Sequence, residues 1–179
     1  MMIRLPALIL RPWSTGDTEA LARLANDHGI WINLRDRFPH PYTHADAEGW
    51  IAHASTPQRA LHFALETNGE LAGGISLDPM SDNERNTAEI GYWLGRPYWN
   101  RGLATAAVIA VTEYALEGGG LQRVEAGVYA WNEASARVLT KAGYTLEGRL
   151  RRRVVKEGRI GDVLMFARIR DDCADAGSP

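Results

Sequence analysis

The chain has 179 residues, 45% of them apolar and 23% charged, and a formal net charge of −2. That length suits one domain with a sizeable core, and so average a composition excludes disordered and fibrous classes. Twenty Lys and Arg stand against 22 Asp and Glu, so no global field draws the chain to nucleic acid or anionic lipid, and a role of that kind needs a local patch.

A single cysteine, Cys173, excludes an intrachain disulfide and a cysteine-based zinc site, and it fits a reducing compartment. Arg4, Pro6, Arg11 and Pro12 interrupt the N-terminal apolar stretch too often for a signal segment. No run approaches the ~20 apolar residues of a membrane span, so a cytoplasmic protein without membrane contact is expected. Neither repeats nor a linker divide the sequence: residues 1–170 read as one domain and 171–179 as a flexible tail.

In chain order, Leu8 to Leu10 reads as a short strand. Thr15 or Asp17 then caps a helix to about Asn26, ended by Gly29. Trp31 to Tyr42, with Pro39 and Pro41, reads as an ordered loop with a functional purpose. Thr43, with Asp46 three residues on, starts a second helix bearing Ala47, Trp50, Ile51 and Ala54. Leu61 to Leu65 and Leu71 to Leu77 flank Asn68-Gly69, a hairpin signal. Thr87 to Leu94 is the fourth predicted strand, with Glu89, Gly91 and Trp93 on one face and Ala88, Ile90, Tyr92 and Leu94 on the other.

A helix is predicted from Ala104 to Leu116, stopped by Gly118-Gly119-Gly120, and a fifth strand from Arg123 to Tyr129. Asn132 caps a helix to about Ala142, and two final strands, Tyr144 to about Val155 and Asp162 to Ile169, turn at Glu157-Gly158. The order describes an α/β protein with a mixed sheet of about six or seven strands flanked by helices.

The stretch from Trp93 to Thr105 is the richest in chemistry. Asn100-Arg101-Gly102-Leu103-Ala104 opens a helix whose first N–H groups lack internal partners and attract an anion, and Gly102 and Ala104 leave room for one to approach. The plainer alternative is that Gly102 merely eases a tight strand-to-helix turn.

The segment Ala88-Glu89-Ile90-Gly91-Tyr92-Trp93-Leu94, the loop Arg101-Gly102-Leu103-Ala104-Thr105, and Asn132-Glu133-Ala134-Ser135 followed by Lys141-Ala142-Gly143-Tyr144 occur in that order. Together they resemble the GNAT superfamily of N-acetyltransferases, in its ribosomal-protein N-terminal acetyltransferase branch, the RimJ and RimL type. The resemblance spans about Leu8 to Arg170. It implies a mostly antiparallel sheet splayed between its fourth and fifth strands, with acetyl-CoA in the opening. The implied cofactor contacts are Tyr92, Trp93 and Leu94 for the pantetheine arm, Asn100, Arg101, Gly102, Leu103, Ala104 and Thr105 for the pyrophosphate, and Asn132, Ser135 and Lys141 beyond them. Trp99 departs from the superfamily loop pattern, whose first position is Gln or Arg.

An acceptor amine is protonated at neutral pH and needs a base, which the resemblance places at Glu89; the alternatives are a solvated strand residue or a partner for a nearby Arg. The departing thiolate needs a proton donor. Where many members use a Tyr, this chain has Leu139, so Ser135 takes that role unless it only caps its helix. Trp31, Asn33, Arg35, His40 and Tyr42 fall where the superfamily builds its acceptor pocket, or else simply pack an aromatic loop.

All five histidines lie between His28 and His62; His40 and His44 are four apart, but Pro41 keeps His40 out of a helix and no metal is expected. From Arg149 to Arg159 six cations face only Glu157, a local excess of five spread over both strand faces. That hairpin is solvated by default, with a dimer partner or RNA as other contacts. The expected activity is acetyl transfer from acetyl-CoA to a protein N-terminal or small-molecule amine, in a homodimer. Its rival is a non-catalytic acyl-CoA-binding or RNA-associated module on the same fold.

Overall fold

The structure, a computed structural model, describes residues 1–57 and 59–170, so Cys173 and the expected tail lie outside the described residues. A short hairpin comes first, β1 (Ile3–Leu5) and β2 (Leu8–Arg11). Helices α1 (Thr18–Ala25), α2 (His28–Trp31) and α3 (His44–Ser55) follow. Next come β3 (Leu61–Thr67), β4 (Glu70–Pro79), β5 (Thr87–Leu94) and α4 (Leu103–Glu113). The remainder is β6 (Arg123–Tyr129), α5 (Glu133–Lys141), β7 (Thr145–Lys156) and β8 (Arg159–Ile169). The eight strands form one sheet in the order β1-β2-β3-β4-β5-β6-β8-β7, antiparallel except between β5 and β6.

Local chemistry sets most of these elements. Asn68 and Gly69, both at positive φ, make the β3–β4 turn, and Glu157 and Gly158 do the same for β7–β8. Thr43 accepts the Asp46 backbone N–H at 3.2 Å while Asp46 accepts that of Thr43 at 2.8 Å, a reciprocal cap on α3.

Three expectations need correction. The strand count rises to eight because Ile3–Leu5 pairs with β2, and the fourth predicted strand is therefore β5. Gly29 does not end the first helix. That helix stops at Ala25, and Asp27, accepting the Gly29 N–H at 2.7 Å, starts the separate turn α2; Gly29 lies against the Arg96 guanidinium, which a side chain there would have to displace. The long helix runs as α only to Glu113, then widens into a π turn over Tyr114–Gly118, closed by the Gly119 N–H on the Tyr114 carbonyl at 2.8 Å.

Two helical layers cover the sheet. His62 of β3 meets Trp50 of α3, and the register carries its face through Ser76 to Gly91 and Glu89. Tyr92, on the other face of β5, meets Ser135 of α5. Hence α3, with α1 against it, covers the Glu89 face, and α5, with α4 against it, covers the Tyr92 face.

One buried polar contact joins α4 to the entry of β7. The Thr112 and Tyr144 hydroxyls lie 2.6 Å apart in the core, and burial pushes the Tyr144 phenol up to about 12. Tyr144→Phe should cost about 1 kcal/mol, because Thr112 keeps only a backbone carbonyl as alternative acceptor. In a thermal melt that is a fall of roughly 2–4 °C, and an unchanged midpoint would deny the pair a stabilising role.

Candidate active site

The site begins where a ladder stops. β5 and β6 pair in parallel only at Thr87–Arg123, Ala88–Val124 and Glu89–Glu125; from Ile90 and Ala126 onward they part, while each stays bonded to its outer neighbour. The inner edges of both strands then face a wedge with backbone groups unmatched across it, so an extended amide-bearing chain can enter as an added strand. The splay expected between the fourth and fifth predicted strands is present. Tyr92, Trp93 and Leu94 lie along its β5 edge.

The same strand leads to an open helix end. Trp99 donates from Nε1 to the Leu94 carbonyl at 2.7 Å and so fixes the turn, which gives a structural reason for the departure at that position. Asn100 and Gly102 take positive φ, 58° and 75°, and Gly102 becomes the N-cap of α4. Thr43 of α3 and Asn132 of α5 cap their helices with side chains, but Gly102 has none to offer, so the N–H groups of Leu103, Ala104 and Thr105 remain open to an external anion. A Cβ on Gly102 would meet nothing within 4 Å. Arg101 is exposed, 5.8 Å from the Tyr98 ring, and forms no ion pair among the described residues. Leu103 itself is core, so it can offer a ligand only its backbone. These residues fit a pyrophosphate.

On one side of the wedge stands Glu89. Its carboxylate is ion-paired with Arg35, which reaches across from the loop after α2, and its side chain is 29% exposed. Asp78 sits opposite it in the β4–β5 register. The neighbouring acidic residue, Glu125, is held by Arg123 at 2.8 Å.

The other expected acceptor residues divide. Trp31 and His40 stack at 5.3 Å beside the loop. Asn33 spends its amide on the Gly29 carbonyl at 2.9 Å. Tyr42 lies in the core against Phe38, its phenol pushed up to about 12 by burial and by Asp46.

On the other side stands Ser135. Its hydroxyl lies 2.8 Å from that of Tyr92, whose pKa burial drives well above the ordinary phenol value, with the Ser135 bond opposing. The cap of α5 is Asn132, which accepts the Ser135 backbone N–H at 3.2 Å and leaves the serine hydroxyl for Tyr92. Lys141 is exposed in the last turn of α5, six residues and roughly 9 Å along the axis from Ser135, and the structure does not bring the two together.

Two further residues at the site carry no local sequence signal of a role. His62, on the Glu89 face, has both ring nitrogens buried without a hydrogen-bond partner, and burial lowers its pKa despite Asp78. Alternation within β3 gives only its face, the one shared with Ser76 and Glu89. Lys156, counted with the solvated cluster, is instead buried. Among the described residues no three His, Cys, Asp or Glu side chains gather as metal ligands, and no helix is long and apolar enough to cross a membrane.

Residues 7–145 match the family model described as an acetyltransferase (GNAT) domain. The uncharacterized N-acetyltransferase p20 of Bacillus licheniformis is 38% identical over 175 residues, covering 93% of this chain and 95% of its own. The ribosomal-protein-serine acetyltransferase of Escherichia coli K12 is 31% identical over 112 residues, 63% of this chain and 62% of that one. Among solved structures, Mycobacterium smegmatis RimJ in complex with CoA-disulfide has a TM-score of 0.82 at 26% identity, over 94% of this chain and 86% of its own. A parted strand pair beside an uncapped helix end, within a sequence matched over most of its length, places this chain in the GNAT acetyltransferase family as an N-acetyltransferase.

Proposed function

We propose that the protein moves the acetyl group of acetyl-CoA to a primary amine, a protein N-terminal α-amine or a small-molecule amine, by direct attack in a ternary complex. The observation that carries this is the parting of β5 from β6 just past Glu89, with Glu89 on one face of the strand and the Tyr92–Ser135 pair on the other. An amine can approach from the first face while a thiolate departs toward the second.

Acetyl-CoA, when bound, supplies an activated thioester. The β5 edge at Tyr92 to Leu94 and the turn Asn100 to Thr105, with Arg101 adding charge, would hold it, with Asn132 near its arm. Glu89 takes the first proton from the acceptor ammonium, since only the neutral amine has a lone pair for the carbonyl carbon. The C–N bond forms and the C–S bond breaks; the second amine proton ends on sulfur, supplied through Ser135 and the phenol that burial keeps protonated. For the neutral amine to form, Arg35 must share or yield the Glu89 carboxylate. The name of the E. coli relative, a ribosomal-protein-serine acetyltransferase, supports a ribosomal-protein serine among acceptors. Exposed Leu146, Leu150, Val155 and Ile160 on β7 and β8 support association of two copies.

Thiol release from acetyl-CoA over a panel of N-terminal peptides, amino acids and polyamines tests the reading. One acetyl group per thiol on at least one amine is expected. Tight acetyl-CoA binding without transfer to any of them would favour the non-catalytic binder.

Ser135→Ala separates acid from cap, because the cap uses only the Ser135 backbone. We expect the melting midpoint to fall by no more than a few degrees, for the lost bond to a Tyr92 hydroxyl that keeps the Ser135 carbonyl at 3.3 Å, and kcat per folded molecule to fall about tenfold, below the usual range for a lost acid because the Tyr92 hydroxyl remains. An unchanged kcat would remove Ser135 from the chemistry.

A further inference from the structure

Lys156 ends β7 with its side chain turned inward, at 2% exposure among the largest fully buried side chains of the protein. Its ammonium donates to the Leu34 carbonyl at 2.9 Å and to Asp36 Oδ1 at 2.7 Å, and it stands 3.6 Å from the centroid of the Trp31 ring. All three partners belong to residues 31–36, more than a hundred positions earlier in the sequence. A methionine would fill the same slot without the desolvation cost of a charge, so what the lysine adds is direction. The stretch it holds needs that, since no helix or strand covers the chain between α2 and α3. A second tie lies next to the first, from Glu157 to His28 at 3.0 Å.

We propose that Lys156 is a positioning residue for the acceptor amine, fixing residues 31–36 to the end of the β7–β8 hairpin and thereby setting where Arg35 meets Glu89. Arg35 lies between Leu34, held at its carbonyl, and Asp36, held through its side chain, while its guanidinium reaches the carboxylate. Held there, Arg35 takes only Oε1 and leaves Oε2 for the incoming ammonium, whereas an arginine freed to cover both oxygens would shut the ammonium out. This rests on reading the Glu89 face as the acceptor side. Lys156 touches neither reacting group, and the residues assigned to acetyl-CoA lie elsewhere, so loosening the loop alters the encounter with the acceptor and leaves the thioester in place.

Lys156→Met keeps the length and apolar bulk and removes the donors. With a serine-initiated hexapeptide or spermidine as acceptor, whichever turns over faster, its acceptor KM should rise at least tenfold while the acetyl-CoA KM stays within twofold. A residue that only staples the fold would lower activity with both KM values unchanged, and that result overturns the proposal. In an Arg35→Ala background the same change should move the acceptor KM less than threefold, because both act on one contact.

Amide exchange gives a readout that needs no acceptor. It should quicken at least tenfold across residues 32–38 and hold across 61–79; unchanged exchange at 32–38 also overturns the proposal. Should Lys156→Met fail to fold, Asp36→Ala, at an exposed side chain, removes one of the two oxygens that hold the ammonium and should raise the acceptor KM at least threefold; no rise overturns the proposal. The two readings fail separately: full turnover in Glu89→Gln removes the base, whereas an unmoved acceptor KM and unmoved exchange remove Lys156.

Discussion

Glu89→Gln should lower kcat about 10²-fold or more near neutral pH, while acetyl-CoA affinity should hold. Glutamine keeps the size and one hydrogen-bond acceptor, and the ion pair it breaks joins a half-exposed arginine to a partly exposed carboxylate, so little stability should follow it. What is lost is the group that takes the proton. Raising the pH supplies neutral amine from solution, since an α-amine loses its proton near pH 8, and the variant should regain part of its rate in alkaline buffer. A structural role for Glu89 gives a different pattern, a lower melting midpoint with a proportionate loss at every pH. Wild-type turnover in the folded variant, on an acceptor whose chemistry is rate-limiting, leaves water or the substrate as the base.

Gly102→Asp should weaken acetyl-CoA roughly 10²-fold, about 3 kcal/mol, without unfolding the protein. Space is not the obstacle, because a Cβ there meets nothing within 4 Å, and Asp tolerates the left-handed conformation better than most residues. The obstacle is charge. An Asp at the N-cap of α4 would set a negative charge beside the N–H groups that are open to a pyrophosphate and repel a second anion from the same place. Titration calorimetry reads the effect directly. Unchanged affinity in a folded Gly102→Asp protein would move the phosphate site away from this turn.

The parts of the molecule legible from sequence are those fixed by neighbours in the chain. Asn68-Gly69 announces its hairpin because both residues must take positive φ; Thr43 with Asp46 and Asn132 with Ser135 announce helix starts because each cap bonds within three residues. The bounds of β6 emerge unaltered for a similar reason, with Gly118-Gly119-Gly120 before it and Asn132 after it. Elements set by distant partners stay hidden. β1 is three residues long and exists through its ladder with β2, and α2 is one turn that Asp27 starts and Arg96 covers.

The candidate site divides along the same line. Glu89, Gly102 and Ser135 lie in contiguous motifs and could be singled out, whereas Arg35 reaches Glu89 across 54 positions and Lys156 reaches Asp36 across 120. Nothing local to Lys156 distinguishes it from the arginines before it. Its burial follows from the far end of β7 meeting the loop after α2, which no periodicity in either segment encodes.

The most direct test is the structure of the protein with acetyl-CoA bound. The pyrophosphate should accept hydrogen bonds from the N–H groups of Leu103, Ala104 and Thr105, the pantetheine arm should lie between β5 and β6, and the thioester should sit between Glu89 on one face and Ser135 on the other. A nucleotide bound outside the wedge, or a thioester beyond reach of both side chains, would contradict the account.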